Sequence, residues 1–155
     1  MIQNNWCQGE IYNISGRQGF YSYYWLFEKT TFQIKFTNDS EIIYSQFGNI
    51  LRTEDKKNKT IIMTNLEQIK HLKWEGEYGI NNVQTGKWIA FWKGKQLDVG
   101  GEYNENGLKI GKWIELFENY WEYSPVTYIG EYQDGNKQGI WDTFYEKQKM
   151  QQLIN

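Results

Sequence analysis

The sequence predicts an all-β protein, a single elongated antiparallel meander of repeated β-hairpins, and three observations carry that prediction. First, the aromatic fraction is 18%, against one proline and 15 glycines among 155 residues. Aromatic and β-branched side chains fit a pleated surface, and glycine supplies the positive φ of tight turns. Second, one phrase is written repeatedly: "GEYGINNVQTGKWIAFW" from Gly76, "GEYNENGLKIGKWIELF" from Gly101 and "GEYQDGNKQGIWDTFY" from Gly130, with a worn copy, "GEIYNISGRQGFYSYYW", from Gly9. In each copy a second glycine follows (Gly19, Gly86, Gly111, Gly139), then an aromatic two places on (Tyr21, Trp88, Trp113, Trp141) and another four places later (Trp25, Trp92, Phe117, Tyr145). Third, apolar residues alternate with polar ones ahead of and through each Gly-Glu, the period of a half-buried strand.

The elements follow in chain order. The worn copy occupies about residues 5–25. Residues 26–71 interrupt the repeat. Within them Phe32, Ile34 and Phe36 alternate as a strand, "TNDS" turns the chain, and Glu41–Tyr44 return as its partner. "EDKKNK" reads as an exposed loop and Ile61–Met63 as a short strand. Thr64 and Glu67 have capping-box spacing, which places a short helical turn near 65–71. The regular repeats run over about 72–145.

Each opening strand puts a large or glycine side on one face: Leu72, Trp74, Gly76, Tyr78, then Leu97, Val99, Gly101, Tyr103, then Val126, Tyr128, Gly130, Tyr132. Asn106-Gly107 and Asp134-Gly135 are pairs suited to turns with positive φ. Lys93-Gly94-Lys95 links two hairpins tightly, and "ENYWEYSP" makes a longer link before Val126. The returning strands are apolar on both faces: Trp88, Trp92, Trp113, Phe117, Trp141 and Tyr145 on one, Ile89, Phe91, Ile114, Leu116 and Phe144 on the other. The tail, 146–155, suits either a short capping helix or an extended arm. One hairpin cannot bury its aromatic face alone, so stacked copies are required, and Gly76, Gly101 and Gly130 would let a neighbouring ring lie against bare backbone.

These units, Gly-Glu-Tyr, an Asn-Gly or Asp-Gly loop, then Gly-Lys-Trp and a further aromatic, resemble MORN repeats, in particular the looser tryptophan-bearing MORN-like variety. The resemblance is good over about 72–145, weak over 5–25 and absent over 26–71. It implies a thin sheet of successive hairpins that holds other proteins, forms dimers, or sits near membranes and cytoskeletal structures, and that is rarely catalytic.

The chemistry the residues allow is narrow. Net charge is -2, from 17 basic and 19 acidic residues mixed along the chain, so no footprint for nucleic acid is present. No run approaches the roughly 20 apolar residues of a membrane helix. One histidine, His71, and one cysteine, Cys7, give no metal cluster and no nucleophile–base pair. The single cysteine and the absence of a secretion-type start predict an intracellular protein, cytoplasmic or cytoskeleton-associated. The recurring Glu10, Glu77, Glu102 and Glu131 read as wet-face partners of lysines such as Lys87 and Lys112 rather than as a carboxylate pair. Lys56, Lys57 and Lys59 read as a solvated loop.

The expectation is therefore one domain, 1–155, that is not an enzyme and carries no cofactor or metal. It would act as a structural or protein-interaction subunit of a larger assembly, docking through an aromatic face of the repeated hairpin sheet, with a homo-oligomer left open. Its candidate interface comprises Trp88, Phe91, Trp92, Trp113, Leu116, Phe117, Trp141, Phe144 and Tyr145. The alternative is a carbohydrate-binding module that uses an aromatic platform.

Overall fold

A computed structural model describes residues 11–19, 27–55 and 62–154, with side chains for 31–55 and 62–150. The all-β expectation holds, with the strands divided between two antiparallel meanders in two compact units, residues 1–70 and 71–155.

In the first unit β1 (Ile11–Gly19), β2 (Phe27–Phe36), β3 (Glu41–Gln46) and β4 (Asn49–Asp55) form a sheet in sequence order, followed by α1 (Leu66–His71). Alternation does the sorting: Phe32, Ile34 and Phe36 are buried while Gln33 and Lys35 are exposed. Phe36 pairs with Ile42 and Ile34 with Tyr44, as the expected hairpin requires. Leu66 and Ile69, three apart on α1, close over this surface, with Leu51, Ile62 and Met63 packed beside it.

Three local expectations need correction. The helix is capped by Asn65, one residue beyond Thr64: its Oδ1 accepts from Glu67 N–H at 3.0 Å and Gln68 N–H at 3.2 Å. Ile62 and Met63 are not a strand; Met63 N–H instead donates to the buried Tyr44 hydroxyl at 3.2 Å. The worn repeat is not built like its relatives, because β1 runs unbroken through the positions where they turn and pairs with β2 along its whole length. Cys7, Gly9, Glu10, Tyr21, Trp25, Lys56, Lys57, Lys59 and Ile61 lie outside the described residues.

The second unit is a seven-stranded meander in strict sequence order: β5 (Leu72–Tyr78), β6 (Gln84–Trp92), β7 (Lys95–Tyr103), β8 (Lys109–Leu116), β9 (Val126–Gln133), β10 (Asn136–Tyr145) and β11 (Gln148–Ile154). The tail takes the extended alternative, pairing as β11 with β10. Lys93-Gly94 (φ +50° and +77°) and Asp134-Gly135 (+48° and +81°) make two-residue turns with both φ positive, the geometry that matches strand twist. The Asn106-Gly107 loop is wider: Asn104 Oδ1 accepts from the N–H groups of Asn106 and Leu108, each at 3.0 Å, and Gly107 takes φ +75°.

The second glycine of each repeat has its own reason. Gly86, Gly111 and Gly139 sit at φ +63°, +64° and +60°, where the register against the preceding strand shifts. Each is the left-handed residue of a β-bulge that aims the tryptophan two places later. Nothing lies within 4 Å of a Cβ placed at Gly111, so only backbone conformation penalises substitution. Gly111→Ala should cost about 1–2 kcal/mol and Gly111→Asn less, read from the urea midpoint.

Candidate interaction face

The two faces of the seven-stranded sheet differ in kind. On the first, Trp88, Trp113 and Trp141 each lie flat on the glycine of their own hairpin. A Cβ at Gly76, Gly101 or Gly130 would stand 2.4, 2.4 and 2.3 Å from the indole carbons of Trp88, Trp113 and Trp141. Tyrosines fill the intervals, so Tyr78, Trp88, Tyr103, Trp113, Tyr132 and Trp141 form one edge-to-face ladder with centroids 4.9–6.1 Å apart and planes at 79–85°. That is the arrangement aromatic quadrupoles favour. Trp113 Nε1–H donates to the Glu102 carbonyl at 3.1 Å, and Trp88 Nε1–H to those of Thr85 and Glu77 at 3.1 and 3.3 Å.

Lysine stems cover the ladder from outside. Lys109 Nζ stands 4.3 Å from the Trp113 ring centre and Lys137 Nζ 4.0 Å from that of Trp141. Both ammonium groups pair with Glu115, Lys137 at 3.0 Å, and the Tyr132 hydroxyl donates to the same carboxylate at 2.8 Å. Burial pushes the Glu115 carboxyl up, but hydrogen bonds from Lys109, Lys137 and Tyr132 and the charge of Lys109 outweigh it, leaving the group below its ordinary 4.5. Burial, then the bond to Glu115, raises the Tyr132 hydroxyl; burial and the nearby Glu115 charge push Tyr103 up to about 12.

The pH dependence has two limbs. A depressed carboxyl stabilises the fold above its unfolded value and loses that contribution as pH falls through the folded one. Raised tyrosines contribute stability that is present below 10 and lost as pH climbs through their folded values. Glu115→Gln should therefore flatten the acid limb of melting temperature against pH below about 4.5 and weaken the alkaline limb without abolishing it, because burial still raises Tyr103 and Tyr132 once the Glu115 charge is gone. An acid limb unchanged in the variant would show that other carboxylates carry it.

The second face is aliphatic. Gly100 pairs with Ile89 and Ile114, Ile114 with Ile129, and Thr127 with Leu116 and Phe144, so Ile89, Ile114, Ile129, Leu116 and Phe144 share one side, joined by Phe91 two residues beyond Ile89. All six are half-buried. Beside them Lys87 stands opposite Glu102 and Lys112 opposite Glu131, each pair bridging consecutive hairpins rather than lying within one.

The nine expected interface residues are thus not one patch. Trp88, Trp92, Trp113 and Trp141 are 3%, 7%, 2% and 1% exposed, which makes them core: glycine lets each ladder ring sink onto backbone, and Trp92 packs against Tyr120 and His71. Phe117 is half-buried against Tyr128, and Tyr145, 39% exposed, ends β10. Phe91, Leu116 and Phe144 lie on the opposite, aliphatic face. Sequence reasoning missed Ile129, which alternates with the Tyr128 and Gly130 face of its strand, and Tyr120 and Trp121, buried from the "ENYWEYSP" link at 7% and 9%. Their signal was three aromatics in a segment read only as a connection.

A sugar-stacking platform needs exposed, coplanar rings, whereas the ladder rings stand near right angles and its tryptophans are buried. Among the described residues no three His, Cys, Asp or Glu side chains are placed to hold a metal ion, and no helix is long and apolar enough to cross a membrane. Comparison with family models, with curated proteins and with solved structures found no match to this chain.

Proposed function

We propose that this chain is a non-catalytic structural and protein-interaction subunit of a larger intracellular assembly, built on MORN-like hairpin repeats and docking through the aliphatic face of its seven-stranded sheet. The observation that carries the reading is that the returning strands are apolar on both sides and the tryptophan–glycine ladder uses only one. Ile89, Phe91, Ile114, Leu116, Ile129 and Phe144 are left half-buried on one side of the sheet, an apolar surface of the kind that marks an interface. A rim of lysine and glutamate, Lys87, Glu102, Lys112 and Glu131, suits the polar border of such a contact.

The test compares the full chain with Ile114→Glu/Leu116→Glu in affinity purification from the native source, after near-UV circular dichroism shows that both are folded. Partners held by the wild type and lost by the variant support the reading. An identical partner set overturns it.

A further inference from the structure

The first unit carries a feature that the sheet of the second does not explain. Phe47-Gly48 joins β3 to β4 with φ +50° and +80°, the same two-residue geometry as Lys93-Gly94 and Asp134-Gly135. Where the chain makes this turn in its other sheet it uses lysine or aspartate. Left-handed backbone disfavours a bulky aromatic, and Asn-Gly or Asp-Gly is preferred there. The Phe47 ring is also 86% exposed, and Ile50, just across the turn, is 66% exposed. Phe47 thus carries a conformational cost and a solvation cost and packs on little of its own fold.

We propose that the Phe47 hairpin tip is a docking knob, inserted with Ile50 into an apolar pocket of a protein partner. The chemistry of the tip selects that occupant. From Ile42 to Leu51 there is no charged residue, and the polar residues nearest Phe47 in sequence are the uncharged Ser45, Gln46 and Asn49, of which Gln46 is buried. Such a tip offers a bilayer none of the basic residues that draw proteins to anionic headgroups, whereas a single ring on a short, register-fixed hairpin has the form of an anchor residue that fills a pocket. The contact lies on the first unit and is independent of the aliphatic face proposed above. Having no charge at its centre, it should hold nearly unchanged as salt rises from about 0.1 to 0.5 M.

The experiment places a photoreactive benzoyl-phenylalanine at position 47 of the full chain and, as control, at Asn49, and illuminates each in extract of the native source. The expected result is one discrete adduct from position 47, of this chain with one other protein, cross-linked through apolar residues. Unlabelled wild type should displace it, and Phe47→Asn should compete about thirtyfold more weakly. The same Phe47→Asn chain should melt about 2–4 °C higher than wild type, because asparagine suits the turn. A lower melting point would show that Phe47 supports the fold and would overturn the proposal. So would equal competition by Phe47→Asn, an adduct no more discrete than that from Asn49, or an adduct of two copies of this chain. Phe47-dependent flotation with phosphatidylcholine vesicles would assign the tip to a membrane instead.

Discussion

Trp113→Ala is expected to destabilise the seven-stranded sheet by roughly 4 kcal/mol, within the range for removing a buried tryptophan. Trp113 is 2% exposed and stands in the interior of the ladder, with Tyr103 at 4.9 Å on one side and Tyr132 at 6.1 Å on the other. Truncation forfeits both ring pairs, the Nε1–H bond to the Glu102 carbonyl and the seat under Lys109, and opens a void in a layer one ring deep. Collapse into that void is restricted, because the flanking Tyr103 and Tyr132 are braced by Trp88 and Trp141, each seated on its own glycine, so the cost should fall in the middle of the range or above. Trp74, Trp88, Trp92, Trp113, Trp121 and Trp141 are six of the eight tryptophans, so fluorescence-detected urea unfolding reports mainly on this unit. A shift corresponding to less than about 1 kcal/mol would show that Trp113 is not core.

Much of this arrangement was legible because repetition converts geometry into columns. The glycines at 76, 101 and 130 were readable as seats for rings, since a glycine among large alternating residues has few other uses. The turns at Asn106-Gly107 and Asp134-Gly135 were readable because positive φ restricts the residues allowed. What could not be read was which apolar side of the returning strands would be covered. Periodicity assigns Trp113 and Ile114 to opposite faces, but both are apolar, and only the fit of an indole on Gly101 decides that the first is core. The break between two sheets was equally hidden. Residues 11–19 carry the repeat's second glycine, Gly19, and so imitate it, yet β1 has no Asn-Gly or Asp-Gly pair at the repeat's turning point and continues straight along β2. In the tail, Met150, Leu153 and Ile154 fit helical spacing, but the unpaired edge of β10 offers backbone hydrogen bonds that a short, isolated helix would forgo.

The glycine seats allow a sharper test than truncation, because ring and seat can be changed together. Gly101→Ala should destabilise the fold by about 3 kcal/mol, at the upper end for overpacking, since the added methyl would stand 2.4 Å from the Trp113 indole while Trp113 also adjoins Gly130 on its other side. Backbone conformation adds nothing here, because Gly101, unlike Gly111, does not have positive φ; the penalty is steric and has a single named source. In the Trp113→Ala background the source is gone. There Gly101→Ala should cost less than about 0.5 kcal/mol or be mildly stabilising, since alanine reduces the freedom of the unfolded chain and fills part of the void. The double-mutant cycle over Gly101→Ala and Trp113→Ala should return a coupling of about 2–3 kcal/mol. Additive costs would mean that the indole does not rest on Gly101, and with that the ladder, the burial of its tryptophans and the assignment of the opposite face as the free one would all lose their footing.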